Sequence, residues 1–129
     1  MSAVDKLFEA AKAARENAYA RYSNFKVGAA ILAADGTIYP GCNVENAAYP
    51  QGVCAEAGAI SAMVLAGQQQ IEEVVVIADA ALCTPCGGCR QKLKEFAAGS
   101  VKVHIANLDG IRRTFTIDEL LPAGFQLLD

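Results

Sequence analysis

Residues 71–106 read IEEVVVIADAALCTPCGGCRQKLKEFAAGSVKVHIA, and this stretch sets the class of fold. Residues 71–78 contain the run VVVI, which is apolar on both faces and typical of a central strand covered on both sides. A helix is predicted over residues 86–97, closed by Gly99, and a second strand over residues 101–106. Because a strand, a helix and a strand follow one another, we expect the two strands to be parallel neighbours.

The rest of the chain adds strands and helices around this unit. Apolar residues recur at helical spacing over residues 3–22, and Ser2 with Asp5 resembles a capping box. Strands 25–33 and 37–44 are predicted to form a hairpin, in which Pro40-Gly41 indicates an edge position or a bulge. A helix is predicted over residues 54–66, ended by Gly67, and a strand over residues 111–115. A capping box at residues 116–119 begins a short last helix, which Pro122 ends. We therefore expect a single α/β domain over residues 1–129, with one mixed five-stranded sheet and helices on both faces.

Composition narrows the classes of function. The 129 residues carry a formal net charge of −3 without a run of Lys or Arg, which argues against a surface for nucleic acid. The five cysteines are an odd number, which does not suit a secreted disulfide framework. Residues 1–6 have no apolar signal core, and no stretch approaches membrane-spanning length. We therefore expect a cytoplasmic enzyme for a small substrate, without nucleic-acid or membrane partners.

Two cysteine motifs have the spacing of a zinc site. The first is Cys54-Ala55-Glu56 and the second is Pro85-Cys86-Gly87-Gly88-Cys89. A structural zinc ion takes four protein ligands, whereas a catalytic one takes three and leaves the fourth position to water. Both motifs fall at predicted helix N-termini, where the partial positive charge favours thiolates. The sequence therefore predicts zinc ligands at Cys54, Cys86 and Cys89, with Glu56 beside them as general acid and base.

These motifs resemble the cytidine deaminase family, in its small homotetrameric class with three cysteine ligands. The likeness covers almost the whole chain. Besides the cysteine motifs it includes Phe25-Lys26-Val27-Gly28-Ala29, the stretch from Asn43 to Tyr49, Arg90-Gln91 and Glu119-Leu120-Leu121-Pro122. The cysteine motifs point to the deaminase superfamily, and Asn43 with Glu45 narrows it to enzymes of free nucleosides. The resemblance implies a three-layer α/β/α fold, one Zn²⁺ per chain, and a homotetramer with shared active sites.

The same resemblance implies hydrolytic deamination of cytidine and deoxycytidine to uridine and deoxyuridine in pyrimidine salvage. Glu56 would take a proton from water, deliver it to N3 of cytosine and help to protonate the departing amine. The backbone N–H of Ala55 would donate to the base carbonyl, and the backbone C=O of Thr84 would accept from the amino group. Five side chains are implied in binding the substrate: Asn43 and Glu45 at the ribose 3′-hydroxyl, Phe25 in the pocket wall, Phe125 on the base from a neighbouring subunit, and Tyr49 in a loop that reaches between subunits.

One position departs from the family pattern. An arginine commonly follows the glutamate in this family and hydrogen-bonds the thiolates, whereas this chain has Ala57 there. Three thiolates on Zn²⁺ leave one net negative charge, so another group is needed to offset it. Arg90, next to Cys89, is a candidate, and a structural or surface arginine is the alternative interpretation.

Other functions stay open at this stage. The same chemistry suits a deaminase of another cytosine nucleoside, such as the antibiotic blasticidin S, while the charge disfavours a deaminase of polynucleotides. A non-catalytic zinc protein would need a fourth ligand, for which Cys42 and His104 are the spare candidates. Cys42 is expected to be a small buried residue, and His104 to face solvent or a subunit boundary. Asn43 and Glu45 have the alternative of being ordinary polar residues of a loop. Tyr49 and Phe125 have the alternative of being packing residues without a role in binding.

Overall fold

The strands and helices follow the expected succession. The computed structural model describes residues 1–127. Its strands are β1 (Val27–Ala33), β2 (Ile38–Cys42), β3 (Ile71–Ala78), β4 (Ala97–Asn107) and β5 (Gly110–Thr116). Its helices are α1 (Ala3–Glu16), α2 (Ala55–Leu65), α3 (Gly87–Phe96) and α4 (Ile117–Leu120), with a single 3-10 turn at Tyr49–Gln51. Within residues 1–127, none of the helices has the length and apolar character needed to cross a membrane.

The five strands form one mixed sheet in the order β2-β1-β3-β4-β5. β3 and β4 are parallel, with Val75 opposite His104, and the other neighbouring pairs are antiparallel. The predicted parallel pair around α3 is therefore confirmed, as is the α/β class. The strand that contains Pro40 lies at an edge of the sheet, where a residue without a backbone N–H is tolerated.

Side chains of the central strand alternate between two cores, one on each face of the sheet. Val74 and Val76 pack in the core that α2, α3 and α4 cover. Val75 and Ile77 pack in the core that α1 covers. Because successive residues of a strand point to opposite faces, a run of four apolar residues is what a strand between two helical layers requires.

Glycine at position 41 allows α2 to lie directly against the edge strand. A Cβ atom added at Gly41 would lie 2.4 Å from the carbonyl oxygen of Ala55 and from the backbone nitrogen of Ala59. These are backbone atoms of the first turns of α2, which cannot move aside without moving the helix. The close approach therefore fixes the start of α2 on the sheet.

The predicted ends of two helices are wrong. The first helix ends at Glu16 instead of residue 22, because Tyr19 forms backbone hydrogen bonds with Asn43 and Glu45 at 3.0 and 2.8 Å. Gly99 does not close α3, since β4 begins at Ala97 and contains Gly99. The capping boxes at both ends of the chain and the left-handed residue after α2 are confirmed: Ser2 with Asp5, Thr116 with Glu119, and Gly67 at φ 91°.

His104 does not face solvent, which is one of the two surroundings expected for it; the other, a subunit boundary, stays a prediction. Its residue surface is 7% exposed. Nε2 lies 2.5 Å from a carboxylate oxygen of Glu73 on β3, and Nδ1 lies 2.8 Å from the hydroxyl of Thr114 on β5. The sequence suggested an exposed position because a histidine alternated with apolar residues. Polar partners on both neighbouring strands are what allow the ring to be buried.

Candidate active site

The first motif forms the start of α2. Cys54 is the N-cap residue, in an extended conformation at φ −74° and ψ 155°. Glu56 follows in the first turn and is 4% exposed, with its side chain on the wall of a cavity of about 190 Å³. The first backbone N–H groups of a helix have no partner within the helix, so the one at Ala55 is free to bind a ligand. The turn thus presents a thiol, a carboxyl and a free N–H group together.

The second motif forms the start of α3 in the same way. Cys86 is its N-cap residue, and Cys89 is fully buried in the first turn. The sulfur atoms of Cys54, Cys86 and Cys89 lie within 4.8 Å of one another. Zinc with four tetrahedral ligands and Zn–S bonds of about 2.3 Å holds its sulfurs about 3.8 Å apart. The three thiols therefore fit a zinc ion after a small adjustment of side-chain torsions.

The thiols respond differently to their surroundings. Burial raises the pKa values of Cys54 and Cys89, and the nearby charge of Glu56 raises both further. Burial also acts on Cys86, but hydrogen bonds from the backbone N–H of Cys89 and from the two other thiols lower its pKa overall. Three thiolates at these distances repel one another, so a divalent cation among them would favour their ionised form.

Glu56 is placed to hold a proton reversibly. Burial raises the pKa of its carboxyl group, while a backbone hydrogen bond and the positive charge of Lys92 act in the opposite direction. A carboxyl group with a raised pKa can act both as proton acceptor and as proton donor near neutral pH. This is the property that the predicted role of Glu56 as general acid and base requires.

The hydrogen bonds of Arg90 favour the structural interpretation of this residue. Its Nε donates to the carbonyl oxygen of Pro85 at 2.8 Å, and its Nη1 donates to that of Leu120 at 3.0 Å. Its Nη2 donates to the hydroxyl of Thr84 at 3.2 Å. All three of these hydrogen bonds go to oxygen atoms. The guanidinium orders the loop before α3, which is the structural alternative.

Three of the expected substrate residues lie around the cavity that contains Glu56. Asn43, Ala55 and Thr84 line it together with Cys54 and Cys86. The side chain of Asn43 is held by the start of β1. Its Oδ1 accepts from the N–H of Val27 and its Nδ2 donates to the carbonyl of Phe25, both at 2.9 Å.

Glu45 and Tyr49 line a second cavity of about 340 Å³. Glu45 accepts hydrogen bonds from the backbone N–H groups of Tyr22 and Ser23 at 2.9 and 3.1 Å, and from the Ser23 hydroxyl. These bonds, that of the hydroxyl foremost, lower the pKa of Glu45. The carboxylate is therefore ionised and fixed in direction, while Tyr49 is 80% exposed.

Neither of the two expected phenylalanines is among the described residues that line the cavity of Glu56. Phe25 is partly exposed, and its backbone is held by Asn43. Phe125 is 67% exposed and lines a third cavity, next to Lys94 and Glu95. A single chain thus gathers only part of the expected set around Glu56, and leaves Phe125 and Tyr49 uncovered.

Three residues of the cavity wall were not found from the sequence. They are Val27, Val76 and Cys83. Val76 could have been found, because it shares the face of Val74 that α2 covers. Cys83 comes from the loop before Thr84, and burial raises the pKa of its thiol. A loop cysteine without a periodic pattern gives no signal in the sequence.

The spare candidates for a fourth zinc ligand do not join the cysteine cluster. Within residues 1–127, the group of potential ligands contains the three cysteines, and neither Cys42 nor His104 belongs to it. Cys42 is half-buried at the end of β2, and His104 is bonded to Glu73. The cluster therefore offers three protein ligands and leaves one coordination position of a zinc ion open. A purely structural zinc ion would take four protein ligands.

A protein-family model matches this fold and this site. The model describes the cytidine and deoxycytidylate deaminase zinc-binding region, and it matches residues 1–105. The matched part contains both cysteine motifs and Glu56.

Sequences and a crystal structure of known proteins are similar to this chain over almost its whole length. A cytidine deaminase from Sporosarcina psychrophila is 46% identical over 127 residues, covering 98% of this chain and 93% of the relative. One from Halalkalibacterium halodurans is 40% identical over 124 residues, covering 95% and 94%. The crystal structure of cytidine deaminase from Burkholderia pseudomallei superimposes with a TM-score of 0.90 at 41% identity, covering 97% of this chain and all of that one. The chain belongs to the cytidine deaminase family, so the resemblance seen in the motifs and the expectation of an enzyme are confirmed.

Proposed function

We propose that this chain hydrolyses cytidine and deoxycytidine to uridine and deoxyuridine, with release of ammonia. The observation that carries this proposal is the convergence of three cysteine sulfurs within 4.8 Å at two helix starts, with the buried Glu56 on the wall of a cavity that Cys54 and Cys86 also line. Recovery of uridine from free cytidine is a pyrimidine salvage reaction, and the cytoplasm is its expected place.

The three thiolates would hold one Zn²⁺ per chain. When bound, zinc supplies Lewis-acid activation of the water that attacks the base. The thiolates of Cys54 and Cys86 come from N-cap positions, where the helix dipoles stabilise their negative charge.

Glu56 carries the protons of the reaction. Its carboxylate takes one proton from the attacking water as the C4–O bond forms, and delivers it to N3 of the cytosine. Glu56 then takes the proton of the hydroxyl group now on C4 and delivers it to the exocyclic nitrogen, as the C4 carbonyl forms and the C4–N bond breaks. The products are uridine and ammonia, so water and cytidine are fully accounted for. The raised pKa of Glu56 suits both directions of transfer.

The base is oriented by backbone groups at the same place. The free N–H of Ala55 donates to the base carbonyl, and the carbonyl of Thr84 accepts from the amino group. Support comes from the position of both residues on the cavity wall, and from Arg90, which holds the Thr84 hydroxyl and the Pro85 carbonyl. A base held at both its carbonyl and its amino group presents C4 to the attacking water in one orientation.

The ribose is bound by Asn43 and Glu45 through its 3′-hydroxyl, and Phe25 contributes to the pocket wall. The two polar side chains come just after β2, on either side of Val44, and are both held by hydrogen bonds to residues 22–27. A carboxylate that is fixed and ionised is a suitable acceptor for a hydroxyl group.

A homotetramer would complete the sites. Phe125 and Tyr49, at 67% and 80% exposure, are large apolar side chains that a single chain leaves in water. We infer that Phe125 stacks on the base bound by a neighbouring subunit and that Tyr49 lies between subunits.

The test follows cytidine by its ultraviolet absorbance and measures zinc on the same sample. Wild-type protein is expected to turn over cytidine and to contain about one zinc per chain. Glu56→Gln should keep zinc and fold but lose about three orders of magnitude in kcat. Glu9→Gln, an exposed residue of α1, is the matched control and should behave as wild type. Turnover by Glu56→Gln would exclude Glu56 as the proton carrier, and a protein without zinc would overturn the proposal.

A further inference from the structure

The cavity of Glu56 is small for a whole nucleoside. Its volume is about 190 Å³, whereas pockets for drug-sized ligands enclose about 300–1,000 Å³. A single base ring with its own substituents can enter such a space. In the proposed function the ribose then extends towards Glu45, which lines the second cavity. The smaller cavity is therefore the part of the site that can distinguish one base from another.

Three wall residues of this cavity have no role in the proposed function. They are Val27, Val76 and Cys83. Val27 and Val76 lie on the neighbouring strands β1 and β3, so the sheet sets their positions. Cys83 lies in the loop before α3 and directly precedes Thr84. A free thiol behaves as a small apolar group, so Cys83 can contact a base without giving it a strong hydrogen bond.

The order of atoms around the base decides which of them faces Cys83. In the proposed function Ala55 binds the carbonyl oxygen on C2, Glu56 exchanges a proton with N3, and Thr84 accepts from the amino group on C4. The ring atoms on the two sides of C4 are N3 and C5. Because Glu56 occupies the side of N3, the wall residue that adjoins Thr84 is left to face C5. The residue in this place is Cys83.

Arg90 holds the loop that carries Cys83. Its Nη2 donates to the hydroxyl of Thr84 at 3.2 Å, and its Nε donates to the carbonyl oxygen of Pro85 at 2.8 Å. These two residues directly follow Cys83, so the wall cannot retreat at this point without breaking both bonds. A wall that neighbouring hydrogen bonds hold in place excludes a group that is too large instead of yielding to it.

We propose that Cys83 is a specificity-determining residue, which sets the size of the substituent that the cytosine base can carry at C5. A hydrogen atom at C5 fits against the thiol, whereas a methyl group meets the sulfur. The inference rests on the proposed function, because it uses the orientation of the base given there. One methylene group more or less in a pocket changes kcat/KM by about 10–200-fold, so the effect is large enough to measure.

The test compares kcat/KM for 5-methylcytidine with kcat/KM for cytidine in the zinc-loaded enzyme. Cys83→Ala removes the sulfur and should raise the ratio of the two constants by about 10-fold, while Cys83→Val fills the space further and should lower it by about as much. Cys42→Ala is the matched control. Cys42 is half-buried like Cys83, but it is not among the described residues that line this cavity, so its replacement should keep the wild-type ratio.

Product binding gives the same comparison without the chemical step. The inhibition constants of uridine and 5-methyluridine should show that Cys83→Ala binds the methylated product more tightly relative to uridine than wild type does. Ratios that are equal in wild type, Cys83→Ala and Cys83→Val would overturn the inference, even if both substrates slowed together, because a packing role changes them in parallel. A wild-type enzyme that does not deaminate cytidine would overturn the proposed function and this inference with it, and the cytidine assay alone identifies that case.

Discussion

The side-chain amide of Gln91 holds the backbone of Phe125 from both sides. Its Nε2 donates to the carbonyl oxygen of Phe125 at 2.8 Å, and its Oε1 accepts from the N–H of the same residue at 3.1 Å. Gln91 lies on α3, two residues after Cys89. Its neighbour Arg90 binds the carbonyl of Leu120 on the same C-terminal segment. The helix that presents two of the cysteines therefore also fixes the position from which the exposed ring of Phe125 projects.

Loss of the Gln91 amide should weaken substrate binding more than chemistry. If Phe125 stacks on a base in a neighbouring subunit, Gln91→Ala removes two hydrogen bonds that orient it, worth about 1 kcal/mol each. We expect KM for cytidine to rise by about 10-fold with kcat changed by less than about 3-fold. Steady-state kinetics measure both constants. Gln69→Ala, an exposed glutamine after α2, is the control. An unchanged KM in Gln91→Ala would exclude this positioning role.

The close approach of β2 and α2 at Gly41 can be tested by one methyl group. Gly41→Ala places a Cβ atom 2.4 Å from backbone atoms of Ala55 and Ala59, so α2 has to shift. Overpacking of this kind costs about 1–3 kcal/mol of unfolding free energy. Because the displaced turn carries Glu56, we also expect kcat to fall. Urea denaturation and the cytidine assay measure the two effects.

A second glycine provides the matched control for this substitution. At Gly58, inside α2, an added Cβ atom would meet Cys42 at 3.7 Å, an ordinary contact distance. Gly58→Ala should therefore stabilise the protein by about 0.5–1 kcal/mol through helix propensity and leave kcat unchanged. If both variants had the same stability, the contact at Gly41 would not be the constraint described above.

The hydrogen bonds of Ser23 predict how substrate binding depends on pH. Ser23 lowers the pKa of Glu45, so the carboxylate stays ionised down to a lower pH than an ordinary glutamate. If Glu45 binds the ribose, KM for cytidine should begin to rise only when the pH falls through this lowered pKa. In Ser23→Ala the pKa of Glu45 moves up, so the rise in KM should begin at a higher pH. KM measured across the acidic range checks this order, and identical profiles for the two proteins would contradict it.

The sequence predicted the sheet and the clustering of Cys54, Cys86 and Cys89 because both depend on local patterns. The run VVVI needs two covered faces, and the two cysteine motifs each open a helix. The end of α1 could not be predicted, because Tyr19 stops the helix through backbone bonds to residues distant in sequence. The role of Arg90 could not be predicted for the same reason, since Arg90 binds the carbonyl of Leu120, thirty residues further along the chain. Contacts between distant segments leave no periodic pattern.

The bonds of His104 predict an unequal loss of stability when its partners are removed. Glu73→Ala takes away the carboxylate 2.5 Å from Nε2 and leaves that nitrogen of a 7% exposed residue without its partner. This should lower the unfolding free energy by about 1–3 kcal/mol. Thr114→Val removes the partner of Nδ1, but Thr114 is exposed and water can replace the hydroxyl, so we expect a loss below about 1 kcal/mol.

A double-mutant cycle separates the bond between Glu73 and His104 from other effects of each change. The free energies of unfolding of wild type, Glu73→Ala, His104→Ala and the double variant are measured in urea. Because the two side chains are in direct contact, the cycle should give a coupling of about 1 kcal/mol or more. Additive losses, or a larger effect of Thr114→Val than of Glu73→Ala, would show that the packing of the ring, and not its bond to Glu73, is what stabilises the junction of β3 and β4.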